Sequence, residues 1–115
     1  MADTVRKLSA AAASVLVLAL FVLGSKPVAE GLFSAPWDKL AHLLYFALFA
    51  GLLHVGLGRT RRSALVGAVL LGMADEINQI WLPGRSASVG DFLADALGAA
   101  LVLSIAWYIA YRRTA

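Results

Sequence analysis

Cysteine is absent from this chain of 115 residues, and charged side chains make up only 15% of it. The lack of cysteine excludes disulfides, thiolate nucleophiles and thiolate metal sites. Hydrophobic side chains make up 61% of the sequence, which is more than a soluble domain of this size can cover. The composition therefore predicts an all-α integral membrane protein whose apolar surface is covered by lipid.

Four apolar segments are each about long enough to cross a bilayer; proline and glycine lie in the first and third breaks between them, and a basic run at 59–62 forms the second break. We predict a single domain, 1–115, with four transmembrane helices at about 8–24, 38–58, 63–82 and 91–111. The first segment follows Arg6 and Lys7 and also resembles a secretory signal peptide. A retained helix is favoured because its apolar stretch exceeds the roughly 7 to 15 residues of a signal core.

The basic residues are divided unequally between the two sides of the predicted bundle. One side carries Arg6, Lys7, Arg59, Arg61, Arg62, Arg112 and Arg113, and the other carries Lys26, Lys39 and Arg85. Because positive charge is retained on the cytoplasmic side, both termini are predicted to be cytoplasmic. The basic residues flank apolar segments rather than forming one exposed face, so we predict no nucleic-acid partner.

Polar residues inside the predicted spans are concentrated at the non-cytoplasmic end. Residues three or four apart share one face of a helix. This spacing groups Asp38 with His42 and Tyr45, Glu76 with Gln79 beside Asp75 and Asn78, and Asp91 with Asp95 and Gly98. Such groups are costly when they face lipid, so they are expected to face one another, water or a ligand.

These residues lie in three ordered motifs: Trp37 to His42, Asp75 to Gln79, and Leu82 to Asp91 followed by Asp95. Together the motifs resemble the VanZ-like family over roughly residues 37 to 100. The positions that match the family pattern are Asp38, Lys39, His42, Glu76, Gln79, Arg85, Ser88, Asp91, Asp95 and Gly98. Many members carry Asn at the position of Asp95. The resemblance implies a cell-envelope role in the bacterial cytoplasmic membrane, linked by the family's name to the glycopeptide teicoplanin.

The first functional hypothesis is an accessory protein that binds a lipid-linked or peptidoglycan-precursor head group. Its predicted binding residues are Asp38, Lys39, His42, Glu76, Gln79, Arg85, Ser88, Asp91 and Asp95. The guanidinium of Arg85 can contact a phosphate or a carboxylate. The expected partners are membrane lipid and that precursor, and the size is compatible with a homo-oligomer.

Other readings of the same residues stay open. A membrane-embedded phosphohydrolase or transferase could use His42 and Glu76 as acid and base. Carboxylates at Asp75, Glu76, Asp91 and Asp95 could hold a divalent cation, although no cofactor is required by the sequence.

Three further alternatives assign these residues a different kind of role: transport, nucleophilic catalysis or purely structural support. A proton-coupled carrier would use Glu76 and Asp95, but the fourth span offers few polar residues for a continuous path. A hydrolase triad could use Ser86 or Ser88 as its nucleophile, although serines after a glycine turn commonly cap the next helix. A purely structural charge network that pins helix ends together would involve Glu76, Arg85 and Asp91.

Overall fold

The computed structural model describes residues 2–23, 37–82 and 87–114. These residues form four α-helices and contain no strand, so the all-α prediction is confirmed. The helices are α1 (Ala2–Leu23), α2 (Trp37–Gly51), α3 (Arg61–Ile80) and α4 (Val89–Thr114). A single π-helical turn, Leu52–Gly56, continues α2, and hydropathy alone does not distinguish such a turn from α-helix.

Local signals explain where α3 and α4 begin. Gly58 has a φ of 70° between α2 and α3, a conformation that glycine adopts without strain. Thr60 then caps α3, because its side chain accepts a hydrogen bond from the Ser63 amide at 3.0 Å. Ser88 does the same for α4, where its Oγ accepts from the Asp91 amide at 3.2 Å.

Three of the four helices are long and apolar enough to span a membrane: Ala2–Val22, Trp37–Gly56 and Val89–Thr114. The chain is therefore a membrane protein. At 20 residues, α3 is also about 30 Å long. It carries Arg61, Arg62, Asp75 and Glu76, however, and its crossing of the bilayer stays a prediction. The cytoplasmic location of both termini stays a prediction as well.

The distribution of apolar side chains is typical of a helix bundle in lipid. Small residues dominate the buried core, which contains Ala50, Ala64, Ala68 and Ala99 besides Phe46, Phe49 and Leu103. Large residues point outward on every helix, among them Leu18, Leu48, Leu70 and Leu101. Small side chains let membrane helices approach closely, while large exposed apolar surfaces of this kind are typical of helices that face lipid.

Helices α2 and α4 approach each other closely. A methyl group at Gly98 would overlap the backbone carbonyl of Leu43, so the two backbones are in contact there. Helix α1 packs against the π turn, where Ser9 is buried beside Gly56. It is also held by the Tyr45 hydroxyl, which donates to the Leu16 carbonyl. The contact between Gly98 and Leu43 sets the register in which polar residues of α2 and α4 meet.

Candidate functional site

Polar side chains from three helices meet at one end of the bundle, which we term the carboxylate end. It comprises Asp38, Lys39 and His42 of α2, Asp75, Glu76 and Gln79 of α3, and Ser88, Asp91 and Asp95 at the start of α4. At 1.5 Å per residue, the innermost of these groups lie roughly 6 to 9 Å inside their helix ends. The carboxylate end therefore has two layers. The outer layer, at the rim of the bundle, contains Asp38, Lys39 and Asp91, and the inner layer contains His42, Asp75, Glu76 and Asp95.

Lys39 organises the outer layer. Its Nζ lies 2.5 Å from Asp91 Oδ1 and 3.0 Å from Asp38 Oδ2. The Lys39 side chain is 41% exposed, whereas that of Asp91 is only 13% exposed. The lysine thus joins α2 to α4 while leaving part of its charge accessible at the rim of the bundle.

His42 and Asp95 form the inner connection between the same two helices. His42 Nδ1 lies 2.7 Å from Asp95 Oδ1. The other ring nitrogen, Nε2, lies 3.8 Å from Asp91 Oδ2, which is an ion-pair distance but too long for a hydrogen bond. Asp95 is 1% exposed, and its second oxygen, Oδ2, is buried without a hydrogen-bond partner among the described residues.

Helix α3 supplies the third wall of the inner layer. Gln79 Nε2 donates to Asp75 Oδ2 at 3.1 Å, one helical turn away, and both residues are buried. Glu76 Oε2 accepts a hydrogen bond from the Ser88 amide at 2.8 Å, which joins α3 to the start of α4. Glu76 Oε1 is buried and, among the described residues, has no hydrogen-bond partner.

The inner layer concentrates negative charge. Ligand atoms of His42, Asp75, Glu76 and Asp95 all lie within 4.8 Å of one another. Across the described part of the carboxylate end there are five carboxylates and a single lysine. Such an arrangement can accept protons, bind a cation, or accept hydrogen bonds from a polar ligand.

Most of the predicted binding residues come together in space. Eight of them share the carboxylate end: Asp38, Lys39, His42, Glu76, Gln79, Ser88, Asp91 and Asp95. Arg85 and Ser86 lie outside the described residues. Tyr45, grouped with His42 by helical spacing, instead donates to α1. The binding roles themselves stay predictions.

Asp75 was predicted only as a candidate ligand of a divalent cation and not as a head-group binding residue, and its carboxylate lies in the inner layer. It is 3% exposed and accepts the hydrogen bond from Gln79. A further sequence signal for Asp75 is its four-residue spacing to Gln79, which places both side chains on one face of α3.

Helices that are long and apolar enough to span a membrane, with ionisable side chains turned into the bundle, define a helical membrane protein with a buried polar site. More particularly, the chain belongs to the VanZ/LLP1 family, whose model matches residues 3–111. This match confirms the resemblance that the three sequence motifs predicted. No curated protein and no solved structure matches the chain.

Proposed function

We propose that the carboxylate end binds the head group of a lipid-linked or peptidoglycan-precursor molecule at the outer face of the bacterial cytoplasmic membrane. In this role the protein would act in the cell envelope and change susceptibility to glycopeptides such as teicoplanin. The observation that carries the proposal is the meeting of polar residues from three separate sequence motifs inside one bundle end. Polar groups placed at membrane depth are costly, so a functional use is the default expectation for them.

The two layers offer different groups to such a ligand. Lys39 is partly exposed at the rim and can contact a phosphate, and Arg85 is the predicted second anion-binding group. The carboxylates of Asp38 and Asp91 can accept hydrogen bonds from the hydroxyl, amide or ammonium groups of a sugar-peptide head group. Asp38 Oδ1 is buried and has no such bond among the described residues. The rim therefore combines cationic donors with carboxylate acceptors.

An apolar cavity beside the carboxylate end supports a ligand with a lipid tail. The cavity has a volume of about 440 Å³ and lies between α3 and α4. Glu76 and Ser88 form its polar edge, and its apolar walls include Met73, Ile77, Val89 and Phe92. An apolar chain lying in this cavity would bring its polar end to Glu76.

The experiment is a thermal-shift titration of the purified protein with undecaprenyl phosphate and with a lipid-linked peptidoglycan precursor. A ligand that binds the folded state raises the melting temperature by mass action. We expect a rise for the wild type, a smaller rise for Glu76→Gln and Arg85→Ala, and an unchanged rise for the Asp3→Asn control at the far end of α1. If neither ligand shifts the wild type, or if all variants respond equally, the proposal is wrong.

One observation favours a second candidate, a membrane-embedded phosphohydrolase or transferase acting on a lipid-linked phosphate. The contact between His42 and Asp95 would hold the imidazole in a fixed orientation, as a general base requires. Glu76 would then be the acid. Phosphate release from undecaprenyl pyrophosphate by the reconstituted wild type, abolished in His42→Gln and retained in His54→Gln, would establish this candidate. Absence of turnover with and without Mg²⁺ would reject it.

A further inference from the structure

The inner layer of the carboxylate end has the composition and geometry of a metal site. We infer that His42, Asp75, Glu76 and Asp95 bind one divalent transition-metal ion, such as Mn²⁺ or Zn²⁺, inside the bundle. This inference goes beyond head-group binding and does not require it. The metal site lies below the rim residues Asp38 and Lys39, so the two kinds of ligand would occupy different depths.

The separation of the four candidate side chains fits a single ion. Their ligand atoms lie within 4.8 Å of one another. With metal–ligand bonds of about 2.1 Å, ligands on opposite sides of an ion are about 4.2 Å apart and adjacent ones about 3 Å apart. His42 Nδ1 and Asp95 Oδ1 are already 2.7 Å apart, close to the adjacent-ligand spacing. Small rotations of the side chains are therefore enough to bring the set to bonding distance.

An independent observation concerns two buried oxygens that the described residues leave without hydrogen bonds. Glu76 is 9% exposed and Asp95 is 1% exposed, and each has one such oxygen, Oε1 and Oδ2 respectively. Burial of an unpaired carboxylate oxygen is costly, and folded proteins almost always provide a partner for it. A metal ion bound by the two carboxylates would compensate for the partners that the described residues do not provide.

The charge distribution points in the same direction. The described carboxylate end has five carboxylates, and its single lysine contacts two of them, Asp38 and Asp91, at the rim. The inner carboxylates thus lie deeper in the bundle than the lysine. One of them, Asp95, contacts His42. A divalent cation would offset much of this negative charge in a region of low dielectric constant.

The donor set discriminates between metals. One imidazole and three carboxylates suit ions that accept both nitrogen and oxygen, whereas Mg²⁺ and Ca²⁺ favour oxygen-only sites. Groups around the four candidate ligands are placed to orient them by hydrogen bonds or ion pairs, as is usual at metal sites. Gln79 donates to Asp75, the Ser88 amide donates to Glu76, and Asp91 lies near the Nε2 of His42. If Nδ1 binds the metal, Nε2 remains available to Asp91.

The test measures metal binding by the full-length protein, purified in detergent and stripped of metal with a chelator. No lipid ligand is added, so its result is separate from that of the head-group titration. Mn²⁺ binding is followed by electron paramagnetic resonance, and Zn²⁺ content is followed by elemental analysis after gel filtration. We expect one ion per chain, with pulsed-resonance coupling from bound Mn²⁺ to an imidazole nitrogen.

Paired variants separate ligation from general damage. Asp95→Asn and Glu76→Gln should weaken Mn²⁺ binding on the order of 100-fold, since even outer-shell changes commonly weaken binding by 10- to 100-fold. His42→Gln should abolish the nitrogen coupling, whereas His54→Gln, on the same helix at the other end, should retain it. Circular dichroism and gel filtration establish that each variant is folded.

Three outcomes would overturn the inference. The first is a wild type that binds neither ion at submillimolar concentration. The second is equal Mn²⁺ affinity in the wild type and in a folded Asp95→Asn or Glu76→Gln variant. The third is nitrogen coupling that is absent from the wild type or that persists in a folded His42→Gln variant, because His42 would then not be a ligand.

Discussion

The two ends of the bundle are held by different kinds of contact. At the carboxylate end, the polar contacts Lys39–Asp91 and His42–Asp95 join α2 to α4 across 52 and 53 residues of sequence. The opposite end, which we term the arginine end, carries Arg59, Arg61, Arg62, Arg112 and Arg113. Its described hydrogen bonds are local, such as His54 to the Arg59 carbonyl and Thr60 to Ser63.

Burial differs in the same way. The arginines of the arginine end are all exposed, whereas Asp75, Glu76, Gln79 and Asp95 of the carboxylate end are buried. Exposed arginines need no protein partner because water and lipid head groups solvate them. The difference agrees with the prediction from basic-residue counts that the arginine end is cytoplasmic, while polar contacts at the carboxylate end join the helices around a candidate site.

The largest expected effect comes from breaking the close approach of α2 and α4 near the carboxylate end. Gly98→Ala would push the helices apart, because a methyl group there overlaps the Leu43 carbonyl. We expect the free energy of unfolding to fall by about 3 kcal/mol, the upper end of the usual cost of overpacking. Gly51→Ala is the matched control, since a methyl group at Gly51 meets Val102 Cγ2 at an ordinary 3.7 Å.

Unfolding by sodium dodecyl sulfate in mixed micelles, followed by circular dichroism, measures both variants. Gly51→Ala should change the free energy of unfolding by less than about 1 kcal/mol. Equal destabilisation by the two substitutions would mean that the backbone contact at Gly98 is not what sets the helix spacing.

Replacing His42 of α2 should lower the free energy of unfolding less than the Gly98 substitution does, and replacing His54 of the π turn should lower it less again. His42→Ala leaves Oδ1 of the buried Asp95 without its described hydrogen-bond partner and should lower the free energy of unfolding by about 2 kcal/mol. His54→Ala removes only a bond to the nearby Arg59 carbonyl and should cost less than about 1 kcal/mol. The same mixed-micelle unfolding measurement applies. A larger loss for His54→Ala would contradict the contrast between local and long-range contacts.

The smallest of these effects concerns the arginine end alone. Thr60→Ala removes the cap that accepts the Ser63 amide hydrogen bond at 3.0 Å and should lower the free energy of unfolding by about 1 kcal/mol. Thr60→Ser keeps the hydroxyl and should lose less than half of that amount. Head-group and metal binding should be unchanged in both variants, because Thr60 lies far from the carboxylate end. Loss of either kind of binding in Thr60→Ala would show that the two ends are coupled.

Helical spacing predicted which polar residues share a face, but it could not predict which residues meet across helices. The shared face of Asp91 and Asp95 follows from their four-residue spacing. The pairing of Asp95 with His42 depends on the register between α2 and α4, which the backbone contact at Gly98 sets. Composition likewise predicted four helices, whereas the π turn after Gly51 has no counterpart in hydropathy.

Tyr45 is a second residue whose partner on another helix could not be predicted from helical spacing. Its spacing from His42 predicted a place among the polar residues, yet its hydroxyl donates to the Leu16 carbonyl of α1. Where α1 packs depends on shape complementarity at Ser9 and Gly56, and a single sequence does not encode that in any periodic pattern.

The carboxylate end must face the outside of the cell if it binds the head group of an envelope precursor there. Because the sequence has no cysteine, single-cysteine variants allow this to be measured with a membrane-impermeant maleimide on intact cells. Ala87 and Thr114 are both exposed, at the carboxylate end and at the end of α4 respectively. We predict that Ala87→Cys is labelled in intact cells and that Thr114→Cys is labelled only after permeabilisation. Labelling of Thr114→Cys from outside, with Ala87→Cys protected until permeabilisation, would place the site on the cytoplasmic side and contradict the proposed function.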